Sequence, residues 1–311
     1  MPLREGFSIA RFDVEVVGHL TLDYIKTPRG TVNEVLGGTP TYVGFSLSRL
    51  GFKVGVISTI GHDFSEPHVL CLAKDMELSK VKRSFKPTTR FQISYFDHGR
   101  ELRLLALCEP IDESTLTSLN EAEAIFIGTV AGEVDLKTLE KVSCLDLYKT
   151  LSLQGFLRSF RPNGYVELRT EDRLLPLLGR FNLICGSSEE MMIELGASNL
   201  KQALSRALKL GGGVAVATMG HEGSMVAYQG GFLRVPAFKT AALDPTGAGD
   251  VYAGVLANYL SRGEDIKWAA CVAASAASFV VEGLGPSRFG SKREVEVRAS
   301  AMLEKVVFQP F

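Results

Sequence analysis

The sequence predicts an α/β fold, in which the strands of a mostly parallel sheet alternate with helices and a small β-sheet lid is inserted. A strand, a helix and a second strand follow one another within residues 13–58. Two strands of alternating polarity occupy residues 88–107, and strand–helix alternation returns from residue 122 onward. Alternating strands and helices indicate βαβ units and a parallel sheet. The two strands of residues 88–107 instead indicate a hairpin with one solvent-exposed face, which is a separate β element.

The first unit is defined by buried runs and the residues that stop them. Residues 13–18 are rich in valine and end in glycine, which predicts a strand. Residues 40–50 have a helical pattern, and Gly51 follows them as a C-terminal stop. Residues 54–58 form a short apolar run, so a second strand follows the helix.

The predicted lid differs from its surroundings in the spacing of its apolar residues. Apolar and polar residues alternate from residue 91 to residue 95, and residues 97–100 supply turn chemistry between two such runs. A hairpin inside an α/β pattern suggests a small sheet beside the large one. We therefore expect a lid formed by about residues 24–36 and 88–107.

The second half of the chain repeats the α/β pattern, and it contains no fixed-period repeat or low-complexity linker. The predicted strands are residues 124–127, 149–153, 183–185 and 214–217. The predicted helices are residues 135–144, 189–195, 200–210, 251–260 and 266–281. Residues 1–311 are therefore expected to form a single unit interrupted by the lid.

Composition excludes several classes of function. The 34 Lys and Arg residues nearly balance the 35 Asp and Glu residues, and this disfavours nucleic acid as the main ligand. The 5 cysteines form no CxxC pair, which disfavours a metal centre and suits buried thiols in a reducing compartment. Residues 1–11 are charged, and the longest apolar stretch, residues 268–281, is too short to span a bilayer. We expect a cytoplasmic protein without a membrane partner.

The most informative segment is Asp-Pro-Thr-Gly-Ala-Gly-Asp, residues 244–250, which leads directly into a predicted helix. Gly247, Ala248 and Gly249 have almost no side chain, so their backbone can approach a ligand closely. A helix start has unpaired N–H groups and partial positive charge, which suit a phosphate. Asp250 could take a proton from a hydroxyl beside that anion hole. The alternative is a turn of glycines with Asp250 as a helix cap.

The same segment resembles the C-terminal signature of the ribokinase-like (PfkB) carbohydrate kinases. Gly37 and Gly38, followed by residues 51–63, are similar to the N-terminal signature of that family. Together the two segments and the pattern between them cover essentially the whole chain. The resemblance implies a three-layer α/β/α sandwich with a β-lid, and ATP-dependent phosphorylation of a hydroxyl group.

Within that family the chain most resembles the myo-inositol kinases of plants and archaea. The segments that carry this likeness are residues 17–23, 95–97, 102–105, 109–111, 153–158 and 285–289. Three positions in two segments depart from the wider family pattern. Ser152 and Gln154 stand where an Asp and an Asn are common, and Ser187 replaces an Asn in the segment that ends in Glu190.

The resemblance assigns roles to individual residues. Asp250 is the expected general base, with Gly247, Ala248 and Gly249 as the anion hole. The expected substrate-binding residues are Asp23, Gly37, Gly38, Gln154 and Arg158. The expected nucleotide-binding residues are Ser187, Thr218, Gly220, Gly223, Gly283 and Gly285. Glu190 is a weak candidate for Mg²⁺, acting through water.

Ordinary structural roles remain open for several of these positions. Asp23 would also suit a loop at a strand end, Arg158 would suit the surface, and Gly37 and Gly38 would suit a helix-entry turn.

The predicted function is ATP- and Mg²⁺-dependent phosphorylation of a small polyol, with myo-inositol as the first choice. A ribokinase-like kinase of another sugar or of a nucleoside is the alternative, and a non-catalytic binding protein on the same fold is a third reading. The lid edge also allows a homodimer. No nucleic-acid partner is expected.

Overall fold

The computed structural model describes residues 11–27, 30–96, 99–116 and 122–311. The charged segment of residues 1–10 and the turn residues 97 and 98 of the predicted hairpin lie outside the described residues. So do residues 28 and 29 of the predicted lid.

A ten-stranded sheet runs through the molecule in the order β16-β15-β14-β13-β12-β9-β8-β1-β4-β5. Neighbours from β5 to β13 pair in parallel, and β14, β15 and β16 add antiparallel pairs at one end. The strands of the molecule, numbered along the chain, are β1 (Phe12–Val17), β2 (Thr21–Thr27), β3 (Gly30–Gly37), β4 (Val54–Ile60), β5 (Glu77–Arg83), β6 (Arg90–Phe96), β7 (Gly99–Ala106), β8 (Ala122–Ile127), β9 (Tyr148–Ser152), β10 (Arg158–Phe160), β11 (Val166–Leu168), β12 (Leu183–Ser187), β13 (Val214–Thr218), β14 (Ser224–Tyr228), β15 (Gly231–Val235) and β16 (Val307–Gln309).

Helices cover both faces of this sheet. They are α1 (Thr39–Arg49), α2 (Glu66–Ala73), α3 (Leu136–Ser143), α4 (Gln154–Leu157), α5 (Leu175–Leu178), α6 (Ser188–Glu194), α7 (Leu200–Lys209), α8 (Ala248–Ser261), α9 (Ile266–Val280) and α10 (Lys292–Ser300). One apolar core lies between the sheet and α1, α8, α9 and α10, and a second lies between the sheet and α3, α5, α6 and α7.

The alternation of side chains along each strand separates these cores. In β8, Ala124 and Phe126 belong to one core, whereas Ile125 and Ile127 belong to the other. A strand that is buried on both faces is apolar at most positions, which explains the near-continuous apolar runs in the sequence. The result is three layers, with the sheet in the middle.

A separate four-stranded sheet, here called the lid sheet, has the order β3-β2-β6-β7. β2 pairs in parallel with β6, while β2–β3 and β6–β7 are antiparallel. Phe91 and Ile93 on its inner face pack against Val130 and Ala131, which follow β8. The lid sheet thus lies over the carboxyl end of the central strands.

The structure confirms most of the predicted elements and corrects others. β1, α1 and β4 appear as predicted, and the parallel pairing of β1 with β4 confirms the βαβ unit. The hairpin β14–β15 and the helix α10 were not predicted. The expectation of buried cysteines is wrong for Cys71 and Cys144, which are exposed. Within the described ranges, no helix is both long and apolar enough to cross a membrane.

Candidate active site

Helix α8 begins at the carboxyl edge of the central sheet, with Gly247 at its N-cap. Gly247 has φ +77°, and a Cβ built on it would lie 2.1 Å from Cδ1 of Tyr42. Any other residue would therefore displace the Tyr42 ring. Among the described residues, no carbonyl or side chain accepts a hydrogen bond from the N–H of Gly249 or Asp250. These two donors are free for a ligand.

Asp250 lies in the first turn of α8 and is half-buried. The hydroxyl of Thr39, at the start of α1, donates to its Oδ1 at 2.8 Å. Burial raises the pKa of Asp250 to about 6, although the Thr39 bond and the charge of Arg158 act to lower it. A carboxyl group with this pKa is largely ionised at neutral pH and can accept a proton.

Asp23 lies on β2, in the lid sheet, and is buried. Its Oδ1 accepts from the N–H of Phe91 at 3.0 Å, and its Oδ2 accepts from the hydroxyl of Thr21 at 3.0 Å. Burial raises the pKa of Asp23 to about 7, outweighing these hydrogen bonds. The carboxylate is partnered on one side by the protein, and each oxygen retains a further lone pair.

Gly37 and Gly38 connect the lid sheet to α1, next to Asp23. A Cβ on Gly37 would lie 2.1 Å from Oδ2 of Asp23, and a Cβ on Gly38 would lie 2.0 Å from the carbonyl oxygen of His19. Gly38 also has φ +83° and is the N-cap of α1. Both glycines are therefore required by close packing, and the carboxylate of Asp23 is part of that packing.

Arg158 follows the short helix α4 and is half-buried. Its Nη1 donates to the carbonyl oxygen of Val130 at 3.0 Å, and its guanidinium lies 5.7 Å from the ring centre of Phe91. Burial lowers the pKa of Arg158, and its charge in turn lowers the pKa of both Asp23 and Asp250. The structure thus places Arg158 near both acids.

Gln154 begins α4 and is half-buried. In the described part of the chain its side chain makes no hydrogen bond, so its amide remains available.

Ser187 and Glu190 form a capping box at the start of α6. The N–H of Ser187 donates to Oε2 of Glu190 at 2.7 Å, and the Ser187 hydroxyl accepts from the N–H of Glu190 at 3.2 Å. A helix cap thus explains both residues without a ligand. Among the described residues, no group of three or more His, Cys, Asp or Glu side chains could hold a metal.

Of the residues predicted to bind nucleotide, Thr218 lies beside the start of α8 and Gly220 lies in open space. A Cβ on Gly249 would lie 3.6 Å from Oγ1 of Thr218, which ends β13. Gly220 has φ +55° and no atom within 4 Å of its Cβ position.

The other predicted glycines have structural reasons of their own. A Cβ would lie 2.1 Å from the Val235 carbonyl oxygen at Gly223, and 2.4 Å from Oγ of Ser287 at Gly283. At Gly285 a Cβ would lie 2.5 Å from Cγ1 of Val35, on the lid sheet.

Asp244 joins three parts of the site, and its role was not predicted. Its buried carboxylate accepts from the hydroxyl of Tyr95, from the N–H of Thr246 at 2.9 Å and from the N–H of Gly285 at 2.9 Å. Burial and the bond to Asp244 raise the pKa of Tyr95 to about 12. Asp244 therefore ties the lid sheet to the loop that opens α8.

The pfkB family of carbohydrate kinases matches residues 11–292. The chain belongs to this family. The nucleoside kinase of Methanothermobacter thermautotrophicus is 28% identical over 297 residues, covering 88% of this chain and 90% of that protein. The inositol 3-kinase of Arabidopsis thaliana is 27% identical over 287 residues, covering 89% of this chain and 76% of that protein.

Solved structures of the ribokinase family share the fold of this pfkB kinase. A pyrophosphate-dependent kinase of that family, complexed with a pyrophosphate analogue and myo-inositol, has a TM-score of 0.80 at 21% identity, covering 91% of this chain and 99% of that one. The nucleoside kinase of Methanocaldococcus jannaschii has a TM-score of 0.73 at 21% identity, covering 93% and 98%. The predicted family and the ribokinase-like fold are confirmed, and this pfkB kinase phosphorylates an alcohol group.

Proposed function

We propose that this kinase transfers the terminal phosphoryl group of ATP to a hydroxyl group of a small polyol, and that the polyol is myo-inositol. The observation that carries the proposal is the start of α8. There a carboxyl group with a pKa of about 6 stands beside the unpaired N–H groups of Gly249 and Asp250. A base next to an anion hole is what phosphorylation of a hydroxyl requires.

The acceptor is held, in this proposal, between the lid sheet and α1. The carboxylate of Asp23 accepts hydrogen bonds from neighbouring hydroxyl groups, and the backbone at Gly37 and Gly38 approaches the polyol. Gln154 offers an unused amide, and Arg158 bridges the acceptor to the phosphate. A pocket lined by charged and polar groups suits a ligand that has hydroxyl groups on all sides.

The chemical step then divides between residues of α8. Asp250 takes the proton of the acceptor hydroxyl, the new P–O bond forms, and the bond to the leaving phosphate breaks. The unpaired N–H groups of Gly249 and Asp250 stabilise the charge on the transferred group, whereas the N–H of Ala248 already donates to the Pro245 carbonyl oxygen at 3.3 Å. Mg²⁺, when bound with the donor, neutralises part of the phosphate charge, and Glu190 is the residue that would contact it through water. Thr218 and Gly220 lie where the donor would enter.

The lid sheet acts as a cover in this proposal, because the hydroxyl of its Tyr95 binds Asp244 in the loop that opens α8. Closure excludes water, which would otherwise accept the phosphoryl group. The inositol 3-kinases of Arabidopsis thaliana and of rice, at 27% and 28% identity, support the choice of acceptor. A homodimer through the lid edge and a cytoplasmic location stay predictions.

A nucleoside is the second candidate acceptor, favoured by aromatic side chains beside Asp23. The rings of Phe91 and Phe160 lie 6.4 Å apart, and the N–H of Phe91 binds Asp23 directly. The half-buried ring of Phe160 can stack on a base while Asp23 binds the ribose hydroxyls. The archaeal nucleoside kinase at 28% identity supports this alternative.

A matrix of acceptors and donors separates the candidates. The acceptors are myo-inositol, ribose, fructose, ketodeoxygluconate, adenosine and cytidine, and the donors are ATP, ADP and pyrophosphate. We expect the highest kcat/KM for myo-inositol with ATP. A nucleoside as best acceptor would replace the first proposal with the second, and Phe160→Ala should then reduce kcat/KM for nucleosides only. Binding of acceptor and donor without turnover would contradict both.

A further inference from the structure

Arg100, at the start of β7 in the lid sheet, extends to the loop that opens α8. Its Nη1 donates to Oγ1 of Thr246 at 3.5 Å, and the same Oγ1 lies 2.6 Å from the hydroxyl oxygen of Tyr95. Thr246 directly precedes Gly247, the N-cap of α8. Two neighbouring strands of the lid sheet therefore bring side chains to the same residue at the edge of the anion hole.

The guanidinium group of Arg100 is exposed to solvent. Within the described ranges, neither Arg100 nor Arg158 has a carboxylate oxygen within 4.0 Å of its guanidinium nitrogens. Both charges act on Asp250, and each of them lowers its pKa. The charge of Arg100 also lowers the pKa of Arg158, so the two guanidinium groups repel one another across the site.

Two guanidinium groups thus act on Asp250, in the first turn of α8. Arg158 comes from the large sheet, after α4, and Arg100 comes from the lid sheet. Neither guanidinium group forms an ion pair with the described residues, so an anion of more than one charge can interact favourably with both of them. Guanidinium groups also match the oxygens of a phosphoryl group better than a point charge does.

We propose that Arg100 is a catalytic residue that binds the terminal phosphoryl group of the donor from the lid side of the anion hole. The inference rests on the proposed function of the same site and adds to it a group that only the lid sheet supplies. Because Arg100 moves with the lid sheet, its charge reaches the transferred group only when Tyr95 and Asp244 are in contact. Phosphoryl transfer is thereby coupled to closure over the acceptor.

Variants of Arg100 test this role, and Arg103 provides a matched control. Arg103 lies on the same strand, but its Nε donates to the carbonyl oxygen of Asn163 at 2.7 Å and its guanidinium stacks on Tyr165. We expect Arg100→Gln to lower kcat by about 100-fold and to raise the KM of the donor, since a charge-stabilising contact to the transferred group is lost. The KM of the acceptor should change little. Arg103→Gln should retain the parent kinetics.

Partial recovery provides a finer test of the same contact. Arg100→Lys keeps the charge without the planar fork, so its kcat should lie between those of the parent and Arg100→Gln. Added guanidinium ion should restore activity to Arg100→Ala but not to Asp250→Asn. An Arg100→Gln enzyme with the parent kcat and donor KM would overturn the proposal, as would a rise in the acceptor KM alone.

A binding measurement separates this inference from the proposed function. Inorganic tripolyphosphate, titrated calorimetrically into each protein, should bind the parent and Arg103→Gln equally and Arg100→Gln at least about 10-fold more weakly. Equal binding by all three proteins, or no binding by the parent, would overturn the role of Arg100. If no acceptor in the matrix is phosphorylated, the proposed function fails while this titration still decides whether Arg100 binds a phosphate chain.

Discussion

Helices α1 and α8 begin in the same way and meet at the same acid. Each N-cap is a glycine with positive φ, Gly38 at +83° and Gly247 at +77°. Each glycine leaves room for a neighbouring group, the His19 carbonyl oxygen in one case and the Tyr42 ring in the other. In both helices, a glycine N-cap therefore allows the backbone at the helix start to approach neighbouring atoms closely.

The two starts differ in what their first turns carry. The first turn of α1 has no acidic residue, and the hydroxyl of Thr39 donates to Asp250. The first turn of α8 carries Asp250 itself, close to unpaired N–H groups. The same glycine N-cap thus begins one helix without a charged side chain in its first turn and another helix with one. We infer that α1 positions the acceptor while α8 performs the chemistry.

Loss of the base at α8 should have the largest effect. Asp250→Asn removes the proton acceptor but keeps the shape of the side chain, so kcat should fall by about 1,000-fold or more. The affinity for the acceptor, measured calorimetrically, should stay close to that of the parent protein. A variant with near-parent kcat would remove Asp250 from its role and with it the contrast between the two helix starts.

The N-cap of α8 should be the next most sensitive position. Gly247→Ala would place a methyl group 2.1 Å from the Tyr42 ring and strain a residue at φ +77°, so the anion hole must shift. We expect kcat to fall by about 100-fold.

The control for this variant lies at the other end of the same helix. Gly263 also has φ +77°, but its Cβ position has no atom within 4 Å. Gly263→Ala should cost about 1 kcal/mol of stability in urea denaturation and leave kcat unchanged. Equal kinetics for the two variants would contradict a specific role for Gly247.

The N-cap of α1 should respond in KM rather than in kcat. Gly38→Ala would bring a methyl group 2.0 Å from the His19 carbonyl oxygen and displace the backbone next to Asp23. We expect the KM of the acceptor to rise by about 10-fold or more, since hydrogen bonds to the acceptor are misplaced. Gly51→Ala, at φ +92° in open space beyond the other end of α1, is the control. A loss confined to kcat would contradict the inference that α1 positions the acceptor while α8 performs the chemistry.

Asp23 should make the free energy of unfolding depend on pH. The folded protein holds the proton of Asp23 up to a pKa of about 7, whereas the unfolded chain releases it near the ordinary pKa of 3.8. The folded state therefore binds more protons in this window, and the free energy of unfolding falls as pH rises through it. Asp250 acts in the same direction over a narrower window. Without ligand, Asp23→Asn should show a shallower decline in urea denaturation, and an unchanged slope would contradict the raised pKa.

The hydrogen bond between the two helix starts should produce the smallest effect. Because the Thr39 bond lowers the pKa of Asp250, Thr39→Val should raise that pKa above its present value of about 6. Activity that requires the ionised base would then appear at higher pH, with a clear loss in acid and little loss in mild alkali. Thr41→Val is the control, since its hydroxyl binds the Gly37 carbonyl oxygen. Identical pH profiles for Thr39→Val and the parent would contradict the effect of the Thr39 hydroxyl on the pKa of Asp250.

Local sequence patterns were enough to predict the three layers of the fold and the part of the site at the start of α8. Continuous apolar runs mark strands that are buried on both faces, and the glycines and acid of α8 lie within seven consecutive residues. The hairpin β14–β15 was missed, although Gly230 and Gly231 between two apolar runs are a hairpin signal. Short antiparallel strands at the end of an otherwise parallel sheet interrupt the strand–helix alternation on which the prediction relied.

The other half of the site depends on pairs that are distant in sequence. Tyr95 and Asp244 are separated by 149 positions, and nothing in either neighbourhood indicates the other. Ser187 and Glu190 show the converse, because a capping box explains both residues locally. A residue whose function requires a distant partner carries no local signature, and for that reason the sequence did not predict Asp244, Thr39 or Arg100 as members of the site.

The bond between Thr39 and Asp250 joins positions 211 residues apart. A nascent chain therefore emerges with the acceptor side of the site long before the acid that completes it. Contacts of such high sequence separation form late in folding, since the intervening loop must close first. During synthesis the unfinished chain can neither transfer phosphate nor be stabilised by binding both substrates. Catalytic competence thus appears only when the last third of the polypeptide has docked, and recovery of activity on refolding reports the completion of folding.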